Sequence, residues 1–359
     1  MIRGRVAVST LGAALLLAVG LNRCKALAPA GPSAAPFPPP DLVFHMRDGF
    51  ALPAREWLPP PGTPQAGIIL ALHGFTDSRD AWALPAPVFA AAGYAVFAPD
   101  ERGFGATADR GTWAGQEVMI GDAADLAAQL RARFPGKRLV ILAESMGSAI
   151  AMCLAARAPL TADAYVLTSP AVWGRAYMAW PVRGALWAAN IVAPGWRLTG
   201  NEIPLDIAAS DNRAALLSLA HDPLTLHGAT VAMLHGLVDL MDSAQAAAAH
   251  LPPSALVLNG RRDQVVPLAA TAAAWAQLPP GVRRGFYLNG FHLLLRDLDR
   301  ALVEADILSW LTNPNAWLPS GADANAAAWQ SDHGWAATIP PAPPAGHLDG
   351  LGERPVWPY

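Results

Sequence analysis

Short apolar runs recur along the chain, each closed by a glycine, a polar turn or a charged residue. They are Ala66–Leu72, Arg138–Leu142, Ala164–Ser169, Ala255–Gly260 and Gly285–Leu288. None alternates polar with apolar, so each reads as a strand covered on both faces, the pattern of a parallel sheet. Between them lie segments without breakers, such as Ser148–Arg157, which read as helices. This strand-turn-helix alternation continues from about Ala66 to Leu311 without resetting, which predicts one α/β domain over residues 41–312. About 85 residues separate the strands at Ala164 and Ala255. That is too many for one crossover helix, and predicts an inserted cap at about residues 171–235, over the carboxyl edge of the sheet.

The two ends follow other patterns. Arg3 and Arg5 precede an uncharged apolar stretch, Val6–Leu21. It has the layout of a secretory leader over residues 1–28 and falls short of the ~20 residues of a comfortable membrane span. Three fates fit its exit: cleavage near Ala28-Pro29-Ala30, retention as an anchor ahead of Arg23 and Lys25, or lipidation at Cys24, although Arg23 stands where a small residue is expected. Each takes the protein across or onto a membrane, and the bacterial periplasm or cell envelope is the expected location. Residues 29–40 hold six prolines and read as a spacer. From residue 313 to 359 the chain is rich in Ala, Pro and Gly, and an irregular tail draped over the body is expected. Its tryptophans, Trp317, Trp329, Trp335 and Trp357, are unlike the aromatic-poor composition of a disordered tail.

Composition narrows the function classes. Hydrophobic residues make up 53% and charged residues 15%, with a formal net charge of −3. No basic cluster is interleaved with aromatics, so nucleic-acid binding is not expected. Two cysteines, Cys24 and Cys153, do not make a disulfide framework; Cys153 reads as a buried apolar residue. No Cys/His spacing suits zinc and no phosphate-binding glycine loop is present, so neither metal nor cofactor is expected. Oligomeric state is not legible.

The chemistry is concentrated at Ala143-Glu144-Ser145-Met146-Gly147, between the strand Arg138–Leu142 and the helix from Ser148. Strand, sharp turn, serine and helix form a nucleophile elbow, in which the positions two before and two after the serine must be small. An isolated serine hydroxyl is a poor nucleophile and needs a base held by a third group. Asp263 and His292 each follow a strand and a glycine, in the chain order Ser, Asp, His that such an elbow requires. Asp239 and Asp242 compete with Asp263 as the acid, but the pattern sets them inside a helix. His73-Gly74-Phe75 follows the strand Ala66–Leu72, where the backbone N–H of Phe75 pairs with that of Met146 to form an oxyanion hole. His73 is expected to fix that loop rather than to move protons. His221, His227 and His235 are expected to be structural.

These pieces, together with Asp100-Glu101-Arg102-Gly103-Phe104-Gly105, Gly260–Pro267 and Gly290–Asp297, resemble the serine hydrolases of the α/β-hydrolase superfamily. Within it they resemble the monoglyceride lipase and lysophospholipase group. The resemblance runs in family order over about residues 45–312; Ala143 departs from the usual glycine. It implies an α/β-hydrolase fold, a mostly parallel, doubly wound sheet with a helical cap. It also implies Ser145 as nucleophile, Asp263 as acid, His292 as base, and Phe75 and Met146 as oxyanion donors. The first half of the cap carries Trp173, Tyr177, Trp180, Trp187 and Trp196. An apolar mouth of this kind favours an acyl chain, with Trp173, Tyr177 and Trp180 expected to touch substrate. The expected activity is hydrolysis of a monoacylglycerol, lysophospholipid or similar lipid ester. The same triad also serves short-chain esterases, acyltransferases, perhydrolases and proline-type aminopeptidases. A peptidase would need cap carboxylates such as Glu202 and Asp206, and a silent binding module would have no use for the intact triad.

Overall fold

The computed structural model describes residues 37–199 and 207–331. The leader, most of the Pro-rich spacer, Cys24, Glu202, Asp206, Trp335 and Trp357 lie outside the described residues. Eight strands form the main sheet: β1 (Leu42–His45), β2 (Ala51–Trp57), β3 (Gly67–Leu72), β4 (Tyr94–Pro99), β5 (Leu139–Glu144), β6 (Ala164–Thr168), β9 (Ala255–Gly260) and β10 (Arg283–Tyr287). Their order is β1-β2-β4-β3-β5-β6-β9-β10. The pairs β1/β2 and β2/β4 are antiparallel and all others parallel. This is the mostly parallel, doubly wound sheet of the α/β-hydrolase fold. Two further strands, β7 (Arg197–Leu198) and β8 (Ala229–Thr230), pair with each other outside it.

The central strands β3, β4, β5, β6 and β9 are buried along their whole length. Alternate residues of β3 feed two cores. Ile68, Leu70 and Leu72 pack with α2 (Gln116–Arg133), α3 (Met146–Arg157), α6 (Val231–Ala247) and α7 (Leu268–Gln277), whereas Ile69 and Ala71 pack with α1 (Ala86–Ala91) and α8 (Arg300–Thr312). A strand with apolar side chains on both faces has no stable position at a surface, which drives helices onto both sides of the sheet. Cys153 on α3 is a buried free thiol, its pKa pushed up to about 11 by burial.

The insertion between β6 and β9 contains α4 (Trp180–Val192), β7, α5 (Arg213–His221) and β8 before the chain rejoins the body through α6. No residue of α4 is buried, and Trp180 and Trp187 are 77% and 63% exposed. At the far end of the insertion, Arg110 donates to the carbonyls of Pro223, Leu224 and Thr225. The Leu226 N–H donates to Thr76 O at 2.7 Å, so the returning chain is tied directly to the loop after β3.

Over residues 313–331 the chain is more ordered than its composition suggests. The helix α9 (Ala322–Ser331) packs against β10, the edge strand of the sheet. Trp329 stacks on Phe286 at 4.5 Å and meets Trp275 edge-on at 4.9 Å. Asp323 pairs with Arg283 at 2.7 Å, and Asp306 accepts the Ser320 N–H and hydroxyl. An uncovered edge strand is a template for pairing with other chains; here a helix occupies that side. Among the described residues, no helix is long and apolar enough to cross a membrane.

Candidate active site

The elbow begins where β5 delivers Glu144 to the carboxyl edge of the sheet. Ser145 adopts φ +53° and ψ −112°, a conformation that side chains other than glycine rarely take. It persists because the turn is held on every side. The Ser145 N–H donates to Thr168 O at 3.0 Å, and Ser145 O accepts from Ala149 at 3.0 Å and Ala171 at 3.1 Å. Thr168 and Ser148 hydroxyls both donate to Ala143 O. Ala143 is fully buried in the core, its methyl accommodated. Gly147 has no such freedom: a Cβ there would lie 2.5 Å from Leu72 O and 2.7 Å from His73 O.

The structure brings the three residues singled out in sequence into one relay. Ser145 Oγ lies 2.9 Å from His292 Nε2, and His292 Nδ1 lies 2.8 Å from Asp263 Oδ2. With Nδ1–H donating to the carboxylate, Nε2 is the acceptor for the serine hydroxyl. Asp263 Oδ1 is occupied by the N–H groups of Val265 and Val266 at 2.8 and 2.9 Å, which fixes the carboxylate plane. His292 and Asp263 are buried; only Ser145 is partly exposed. Burial disfavours the His292 cation, but the charge and hydrogen bond of Asp263, with Glu144 behind, outweigh it. The net effect holds the imidazole above its ordinary pKa.

Asp239 and Asp242 are not near this relay in bonding terms. Both pair with Arg175, and Asp239 also meets His235 at 3.4 Å. Of the cap aromatics, Trp173 is half-buried with its indole N–H donating to Tyr177 O at 3.2 Å. Tyr177 and Trp180 stand exposed on the cap. An open groove of about 960 Å³ between the body and the cap is lined by Trp113, Arg175, His235, Asp239 and Asp242, and includes none of the relay residues.

Phe75 lies in the loop after β3, whose Gly74 approaches Ser145, and Met146 is the first residue of α3. Neither backbone N–H donates to an acceptor among the described residues. The N–H of Met146 belongs to the first turn of α3, where unpaired N–H groups and the helix dipole favour negative charge. The Phe75 loop is held by His73, whose Nε2 accepts from Glu101 N–H at 2.9 Å while Nδ1 lies 2.8 Å from Gly74 O. Complete burial pushes the His73 pKa down, so it is a neutral strut.

Three residues carried no role in the sequence yet meet beside the elbow. Arg296 pairs with Asp77 at 2.7 Å and with Glu144. Glu144 and Arg296 stand inside the quoted pieces Ala143–Gly147 and Gly290–Asp297, and Asp77 lies two residues after His73-Gly74-Phe75; that placement is the signal the sequence offers. Asp297 accepts the Phe291 N–H at 2.7 Å and the Ser210 hydroxyl at 2.6 Å, and burial pushes its pKa up to about 7. Among the described residues no cluster of His, Cys, Asp and Glu is arranged to hold a metal ion.

The chain matches the family described as serine aminopeptidase, S33, over residues 63–299. It is 25% identical over 262 residues to a monoacylglycerol lipase of Mycolicibacterium smegmatis, covering 70% of this chain and 90% of that protein. A soluble variant of the monoglyceride lipase of Saccharomyces cerevisiae, solved with a substrate analogue, superposes with a TM-score of 0.66 at 17% identity. The match covers 79% of this chain and 98% of that one. A thermostable carboxyl esterase of Bacillus coagulans, solved with glycerol, gives 0.60 at 22% identity, over 76% and 97% of the two chains. The family match spans more than half of the chain, and with the elbow, the relay and the fold it leads to one conclusion: the chain belongs to the serine aminopeptidase S33 family and is a serine hydrolase of the α/β-hydrolase fold.

Proposed function

We propose that the protein hydrolyses the carboxylic ester of a monoacylglycerol, lysophospholipid or similar lipid through a Ser145-His292-Asp263 triad. The observation that carries this reading is the 2.9 Å and 2.8 Å pair of contacts His292 makes to Ser145 and Asp263. His292 takes the proton of Ser145 as Oγ attacks the ester carbonyl, and Asp263 holds the required tautomer and stabilises the imidazolium. The N–H groups of Phe75 and Met146 receive the oxyanion; loss of one such donor typically lowers turnover ~100- to 1,000-fold. His292 then protonates the departing alcohol, and water activated by the same imidazole clears the acyl-enzyme.

The lipid assignment is supported by the apolar cap and by the M. smegmatis relative's activity. A peptidase needs a carboxylate free to receive an amino terminus. The cap carboxylates that the sequence offers for this, Glu202 and Asp206, lie outside the described residues, and Asp239 and Asp242, close by Arg175, are both engaged by it. On the basis of Arg3, Arg5 and the apolar Val6–Leu21, we also propose export across, or anchoring to, a membrane; fractionation of cells expressing the full chain tests it.

The deciding experiment is a chain-length series of p-nitrophenyl esters and monoacylglycerols with the full chain, beside Ser145→Ala. Turnover that rises with chain length and is absent from the folded variant supports a lipid esterase. A preference for acetate or butyrate replaces it with a short-chain esterase. Ester hydrolysis that survives Ser145→Ala removes the triad assignment.

A further inference from the structure

We propose that Arg296 is a positioning residue of the hydrolytic site, a single guanidinium that holds the Phe75 loop, the Ser145 elbow and the His292 loop in register. The proposal rests on the reading of Ser145 and His292 as nucleophile and base.

The three loops come from distant parts of the chain, and Arg296 touches all of them. Its Nη1 lies 2.7 Å from Asp77 Oδ2, and its Nη2 bonds Glu144 Oε1. Asp77 belongs to the Phe75 loop: its N–H donates to Gly74 O at 3.2 Å, and its Oδ1 accepts the Ser78 N–H at 2.9 Å. Glu144 is the residue before Ser145 and the last of β5. Arg296 itself closes the segment after His292, its N–H donating to Leu293 O at 2.8 Å and its O accepting Asn212 Nδ2 at 2.9 Å. The side chains of Arg296, Asp77 and Glu144 retain only 8%, 6% and 3% of their exposure.

Stability is a poor explanation for this cluster. Withdrawing three charges from water is costly, and a well-packed apolar trio often does as well or better. Burial duly pushes Glu144 towards its neutral form, and Arg296 works against that shift. What an apolar trio lacks is direction. A guanidinium is planar and forked, so it fixes the angle between two carboxylates as well as their distance. The attacking oxygen, the proton acceptor and the two N–H donors must hold their relative positions to within ~0.5 Å, and a displacement of ~1 Å costs ~100-fold in rate.

The test compares the full-length wild type with Arg296→Met and with a neutral triple variant, Asp77→Asn, Glu144→Gln and Arg296→Met together. Three quantities are read: the thermal midpoint, kcat and KM on the best p-nitrophenyl ester, and the rate at which a fluorophosphonate labels Ser145. Arg296→Met leaves two buried carboxylates without their cation and is expected to lose stability. The triple variant removes all three charges, so it keeps the test open if the single variant does not fold. We expect the triple variant to melt near the wild type, with kcat and labelling rate ~100-fold lower and KM within ~3-fold. A triple variant with wild-type kcat, or one that loses activity only in step with its thermal midpoint, overturns the proposal and makes the cluster a packing element. A wild type inert to both ester and phosphonate overturns the hydrolytic reading, and this proposal with it.

Discussion

The backbone N–H of Gly147 donates to His73 O at 3.0 Å, so the turn that carries Ser145 is bolted to the start of the loop that carries Phe75. The two N–H groups proposed to receive the oxyanion thus share one rigid frame. A Cβ at position 147 would meet the Leu72 and His73 carbonyl oxygens at 2.5 and 2.7 Å, and both are backbone atoms that cannot swing aside. Gly147→Ala is therefore expected to destabilise the fold by ~1–3 kcal/mol and to lower kcat in the fraction that folds. Thermal unfolding and active-site titration read the two effects separately; a variant with the wild-type midpoint contradicts the account.

Asp263 fixes which nitrogen of His292 carries the proton. In Asp263→Asn an amide can turn its NH₂ towards Nδ1 and favour the opposite tautomer, which removes the acceptor from Ser145. A fall in kcat of ~10,000-fold is expected with little change in the thermal midpoint. On the proposed mechanism the wild-type imidazole must be neutral to act as base, and its pKa is held above the ordinary 6.5. The kcat/KM profile should therefore rise with pH through a value above 6.5. An acid limb centred below 6 would contradict the arrangement.

Stability should fall as pH rises across the same range. Burial raises Asp222 to about 6 and Asp297 to about 7, against roughly 3.9 for an unfolded aspartate. Between the unfolded and folded values the native state binds more protons than the unfolded chain, so the slope of stability with pH is negative. The contribution is fully present below about pH 4 and is lost as pH passes 6 to 7. Calorimetry from pH 5 to pH 8 should show a decreasing midpoint, and Asp297→Asn should flatten the upper part of that slope. A midpoint higher at pH 8 than at pH 5 would be the opposite result.

Trp329 joins the last described helix to the sheet through its stack on Phe286 and its edge contact with Trp275. Trp329→Ala is expected to cost ~3–5 kcal/mol, a large share of the ~5–15 kcal/mol that holds a typical domain folded. A chain ended after Asn313 would uncover β10 and should self-associate through that edge. Size-exclusion chromatography with light scattering checks this. A monodisperse truncated chain of unchanged stability would show that α9 is dispensable.

The parts of the site legible in sequence are those whose requirements are local. A strand buried on both faces must be apolar throughout, and β3, β5, β6 and β9 each announce themselves in that way. The elbow confines its steric demand to five residues, so Ser145 and Gly147 could be read from spacing, and the order of Asp263 and His292 after it followed the strand ends. The antiparallel strands β1 and β2 lack that signature, since their burial is mixed.

Other features depend on partners far away along the chain. Arg296 and Glu144 are separated by 152 residues, and only the order β5-β6-β9-β10 brings their loops to one end of the sheet. Composition made the segment after 313 a tail, but α9 exists because Phe286, Trp275 and Arg283 offer it a surface, which the local residues do not encode. Likewise the sequence offers Trp180 as a residue of the substrate mouth, but that it stands 77% exposed on the cap is set by how the cap packs. The strands and the elbow are written in the chain alone, because each is set by sterics and hydrophobicity within one short segment. Tertiary structure alone decided the ion cluster, the edge helix and the facing of the cap, because each depends on the distance between segments that the chain brings together only when it folds.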